Sequence, residues 1–171
     1  MGFRVGFAVV TVAGLAAAVA APGRGVESKS CVPSTVFYRD LPAATEIGFH
    51  GGNPPWVASG GVVGFLFYYG APPFGRMHSA RAYVTTGGKA GAGASTKILW
   101  WFRRTVAVGA KLTISGDRID AAGSFRTTWP SRVAGPSFPS YLVVPEPGCW
   151  RVTVSSGAAR ASFVFGAFRV S

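Results

Sequence analysis

The chain has 171 residues, 49% of them hydrophobic, and carries 17 Lys and Arg against 6 Asp and Glu for a formal charge of +11. That length suits one domain with a real core once any targeting segment is set aside, and two domains would be crowded. With six acidic residues and two histidines the supply of acid-base groups is thin, so catalysis by paired side chains starts at a disadvantage.

Residues 1–21 read as an export signal. Arg4 is the positive start, Val5 to Ala20 is an apolar run without charge, and Ala18-Val19-Ala20 is a small-residue cleavage site. The run is short and rich in Ala and Gly for a span of about 30 Å of hydrocarbon, so the membrane enters only if this segment stays uncleaved. Cys31 follows Ser28-Lys29-Ser30, which is not a lipid-attachment box, and the expected location is secreted or extracytoplasmic. Residues 22–30 are a flexible leader, and residues 31–171 form the single folded domain.

From Cys31 onward the signals are those of short strands. Val36-Phe37-Tyr38 is one candidate, and a loop through Asp40, Pro42 and Glu46 ends in the glycine and proline cluster Gly51 to Pro55. Val62 to Tyr69 is an unbroken apolar run with β-branched and aromatic residues on both faces, the pattern of a central strand buried on both sides. Arg81 to Thr85 is a further short strand, and Thr86 to Thr96 reads as a flexible loop by composition. Lys97 to Phe102 and Lys111 to Ile119 are strong strands, with Gly116-Asp117 expected to bend or bulge the second. Phe125 to Thr128 follows a turn, and Trp129 to Pro139 is read as a proline-punctuated loop.

Trp150, Val152 and Val154 alternate with Arg151, Thr153 and Ser155, the two-residue period of a half-buried strand. Ser156-Gly157 supplies a tight turn, and Ala161 to Val170 returns as the second arm of a C-terminal hairpin. No segment beyond the signal has sustained helical periodicity. Roughly seven to nine short strands punctuated by Gly and Pro predict an all-β, antiparallel sandwich. Cys31 and Cys149 match in number in an exported chain, so a disulfide is the default, closing a loop worth about 4 to 5 kcal/mol by chain entropy.

Glu146, Gly148 and Trp150 at the mouth of the alternating strand resemble the corner before one strand of immunoglobulin-like domains, where Tyr usually stands at the aromatic position. An indole lacks the phenolic hydroxyl that ties this corner to the backbone. The series Lys97-Ile98-Leu99-Trp100, Gly116-Asp117-Arg118-Ile119-Asp120, Pro139-Ser140-Tyr141 and Pro147-Gly148-Cys149-Trp150 is similar to a set of small exported bacterial proteins of uncharacterised function. The resemblance spans Lys97 to Val154. It implies an extracytoplasmic immunoglobulin-like sandwich and brings no activity and no site residues.

Asp117 and Asp120 read as turn chemistry, and Glu146, between two prolines, as a capping or pairing residue. His50 and His78 lie in glycine and proline loops without ligand spacing, so no metal and no cofactor is expected. No GxSxG elbow is present. Adjacent strand residues face opposite ways, so Trp100 and Trp101 cannot both enter one core face. Trp56, Trp101 and Trp129, with Arg103 and Arg104, are therefore the candidate binding residues.

The basic charge is largely arginine in a chain with one Asn and no Gln, the bias of a GC-rich genome. Its only tight cluster is Arg103-Arg104, which disfavours nucleic acid and leaves scattered basics on outer strand faces. The expected function is an exported, non-catalytic binding or structural module at the cell envelope, its partner a protein or a cell-surface polymer. The alternatives are a small hydrolase or metal-dependent enzyme using His50 or His78, and anionic-polymer binding through net charge.

Overall fold

The computed structural model describes residue 2 and residues 30–41, 54–74, 79–91, 93–107, 109–130 and 135–170, with the backbone alone for residues 91, 104 and 105. The export signal and the leader, apart from Gly2 and Ser30, lie outside the described residues, as do Glu27, Glu46, His50 and His78.

The described residues form β1 (Trp56–Ser59), β2 (Val62–Leu66), β3 (Tyr83–Thr85), β4 (Lys89–Gly91), β5 (Ala94–Ser95), β6 (Lys97–Val106), β7 (Lys111–Arg118), β8 (Ser124–Pro130), β9 (Gly135–Tyr141), β10 (Gly148–Ser156) and β11 (Ala159–Phe168). The chain is all-β. One sheet has the order β1-β2-β6-β9 and is antiparallel throughout. The other has the order β3-β11-β10-β7-β8 and is mixed, because β3 runs parallel to β11. A small ribbon of β4 and β5 stands apart from both.

The inner faces of the two larger sheets share one core. Val57, Val62, Ile98, Trp100, Phe102 and Phe138 come from the first sheet, and Leu112, Ile114, Trp150, Val152, Val154, Phe163 and Phe165 from the second. The Trp100 and Phe163 rings meet across the layers at 5.3 Å. Removing each such side chain from water contributes about 1.5–3 kcal/mol, while ordering the backbone costs about 1–2 kcal/mol per residue. The disulfide Cys31–Cys149, with Cα atoms 5.8 Å apart, ties Cys31 to the start of β10 across a sequence separation of 118.

Two glycines make close packing possible. Gly64 lies opposite Trp100, whose ring covers it so closely that a Cβ there would stand 2.5 Å from the ring. Gly116 lies opposite Phe125 in the same way. The expected bend or bulge at Gly116 is therefore corrected: β7 pairs in unbroken register through it on both sides, and the glycine makes room for a ring.

Other expectations change at their edges. The apolar run from Val62 is buried at every position of β2, but the strand stops at Leu66 and Phe67–Gly70 forms a 3-10 turn. Residues 86–96 are not wholly loop, since β4 and β5 lie there. The segment ending at Pro139 is not wholly loop either: β8 runs to Pro130 and β9 begins at Gly135, at the sheet margin and with an irregular register beside Pro136, places where a strand tolerates proline. Val36-Phe37-Tyr38 forms only the isolated bridge from Phe37 to Trp56.

Candidate functional site

On β6 the even-numbered Ile98, Trp100 and Phe102 enter the shared core, and the odd-numbered Leu99 and Trp101 face the other way. Trp101 joins Trp56, Val63 and Phe65 in a second apolar cluster on the outer side of the four-stranded sheet, with Leu41 and Leu99 at its margin. Trp56 is 7% and Trp101 8% exposed. The Trp56 ring is stacked by Phe37 at 4.3 Å, and its indole N–H donates to the Arg39 carbonyl at 3.3 Å.

Arg103 continues the Trp101 side of β6 beyond this cluster. A pocket of about 230 Å³ opens there, lined by Ala58 to Val63, Trp101 and Arg103. Its wall is the β1–β2 turn, in which Gly60 and Gly61 both adopt positive φ, as a two-residue hairpin turn requires. The turn is fixed on both sides. A Cβ at Gly60 would lie 2.9 Å from the Arg160 carbonyl, and the Gly61 carbonyl accepts the Arg103 N–H at 3.1 Å.

Arg103 is exposed and forms no ion pair with a described carboxylate; both described ion pairs belong to Arg118. The pocket therefore offers a fork-shaped guanidinium that no described carboxylate neutralises, beside Trp101 and peptide groups, which suits a planar anionic or polar group.

The candidate residues divide. Trp56, Trp101 and Arg103 share the outer side of one sheet, whereas Trp129 sits on β8 at the margin of the other, its ring 6.0 Å from that of Tyr141. The buried Trp129 Nε1 has no hydrogen-bond partner among the described residues. The Arg104 side chain lies outside the described residues. The part played by Gly60 and Gly61 was hidden, because paired glycines in a sequence signal a turn and not a pocket wall.

The acidic residues at the β7–β10 end are engaged structurally. Arg118 bridges Asp120 at 2.9 Å and Glu146 at 3.1 Å, and Asp120 also accepts the Cys149 N–H at 3.2 Å. Burial raises the Asp120 pKa, and the hydrogen bonds from Arg118 and Cys149 outweigh it and hold the carboxyl below its ordinary value. Burial pushes the Tyr68 and Tyr69 hydroxyls well above the ordinary phenol value, while each donates to a backbone carbonyl. Among the described residues no three His, Cys, Asp or Glu side chains gather as a metal site, and no helix is long and apolar enough to cross a membrane.

No family model, no curated protein and no solved structure matches this chain.

Proposed function

We propose that the chain is an exported, non-catalytic binding module with an immunoglobulin-like sandwich architecture, acting at or outside the cell envelope through the Trp101–Arg103 pocket. The observation that carries this reading is the meeting of Trp101 and a guanidinium free of any described carboxylate in one recess, whose hairpin turn is tied to the Arg103 N–H. At about 230 Å³ the recess is smaller than the roughly 300 Å³ at which small-molecule sites begin, so it receives a projecting group of a larger partner. Export is supported by the Cys31–Cys149 bridge, which persists in oxidising compartments. The architecture is supported by the two sheets' common core and by the tie at Trp150.

The test is retention of the purified chain by envelope sheets from its source organism, with Arg103→Gln alongside. Wild-type chain is retained, and the variant loses about tenfold or more, the scale of one charge-assisted hydrogen bond. Equal retention of both removes the pocket from the reading. No retention of wild type sinks the envelope-binding function itself.

A further inference from the structure

The opposite side of the molecule carries a different surface. In the five-stranded sheet the outward positions are odd on β7 and β10 and even on β8 and β11, since the intervening ones line the core. Lys111, Arg126, Arg151 and Arg160 all fall on this outer face and all are exposed. One carboxylate shares it, Asp117, opposite Arg151. None of the four cations makes an ion pair with a described carboxylate.

Between the cations runs a row of hydroxyls. Register places Arg126 opposite Ser115, Ser115 opposite Thr153 and Thr153 opposite Ser162; Thr153 is buried and its hydroxyl is 3.0 Å from that of Ser162, which leaves Ser162 exposed and Ser115 half-buried. With strands about 4.8 Å apart and a rise of about 3.4 Å per residue, the Cα atoms of Arg126, Arg151 and Arg160 lie roughly 12 to 16 Å from one another. These nearly equal separations set the three at the corners of a triangle, which suits separate anionic groups of a polymer lying across the face better than a single clustered anion.

We infer that this face is a docking surface for an acidic polysaccharide, its arginines meeting carboxylates of separated uronic-acid units and the Ser115 and Ser162 hydroxyls meeting sugar hydroxyls. Charge complementarity selects a polyanion. The chemistry of the row selects the polymer: single-stranded nucleic acid is held by stacking on aromatic rings, and the Arg126–Ser115–Thr153–Ser162 row presents none. Duplex DNA is read by elements that enter its grooves, which a flat sheet face does not do. The surface lies on the other sheet from the Trp101–Arg103 pocket and meets it only where the Gly60 turn packs on the Arg160 backbone.

The experiment titrates the full chain with polygalacturonate, neutral dextran and duplex DNA at matched low salt. Three proteins are compared: wild type, the triple variant Arg126→Gln/Arg151→Gln/Arg160→Gln, and a control triple with the same charge loss at exposed positions elsewhere, Arg39→Gln/Lys89→Gln/Arg169→Gln. Wild type binds polygalacturonate in preference to dextran and DNA, with affinity that falls linearly against salt on logarithmic axes. The face variant loses at least about tenfold and its salt slope flattens, while the control loses less than about threefold. Equal losses in the two triples would overturn the inference in favour of diffuse charge, and tighter binding of DNA or dextran would overturn the choice of polymer. Arg103→Gln binds polygalacturonate like wild type, so failure here and failure of the pocket are read separately. All six substituted residues are exposed, and matched urea transitions check that the fold is kept.

Discussion

Trp150 donates its indole N–H to the carbonyl oxygen of Glu146 at 3.0 Å, four residues back along the chain. The resemblance to an immunoglobulin-like corner had left that tie unassigned, because no phenolic hydroxyl stands there. In this chain the indole N–H ties the bend to its own backbone. Trp150→Phe keeps most of the ring packing against Phe125 and removes the donor. It is expected to lower stability by about 1–2 kcal/mol, one hydrogen bond with its stranded acceptor, read as a lower urea midpoint at unchanged slope.

Gly64→Ala puts a methyl into the Trp100 ring. Because Trp100 is fully buried and its Nε1 donates to Ser140 at 3.0 Å, the ring has little freedom to yield. Overpacking of this kind costs about 1–3 kcal/mol. Gly87→Ala, where nothing lies within reach of the added carbon, pays only for its positive φ and is the comparison in the same thermal melts.

Denatured protein without reductant has no titratable thiol if Cys31 and Cys149 are joined as the structure has them. Two free thiols would contradict the pairing. Replacing both cysteines with alanine is expected to cost about 2–5 kcal/mol in urea unfolding, since the bridge shortens the unfolded chain's largest loop.

Asp120 couples stability to acidity. Its carboxyl titrates lower when folded than when unfolded, so in that window the unfolded chain holds more protons. The contribution is therefore complete above the ordinary carboxylate range and disappears as pH falls through the folded value. Asp120→Asn flattens this acidic limb of the stability curve in urea midpoints measured from neutral to strongly acidic buffer. An unchanged limb would show that Arg118 and the Cys149 N–H do not hold the charge.

Legibility in the sequence followed the two-residue period. The β10–β11 hairpin could be read because Trp150, Val152 and Val154 alternate cleanly with Arg151, Thr153 and Ser155, and the same alternation marked the face that carries Arg151. β9 could not, because Pro136 and Pro139 look like loop punctuation until the strand is known to lie at a sheet margin. β4 and β5 were hidden by their glycine and alanine content. The opposite placement of Trp100 and Trp101 was forced by geometry, but the partners of Trp101 were not. Trp56, Val63 and Phe65 reach it only through register between β1, β2 and β6, which adjacent residues do not encode.

The penultimate position in the five-stranded sheet belongs to β11, which joins β3 on one side to β10 on the other. Without β11, β3 has no partner strand in that sheet and the core lacks Phe163 and Phe165. β11 is thus the keystone of the layer, and cutting the chain before Ala159 would detach one margin of the sheet and open the core in a single step.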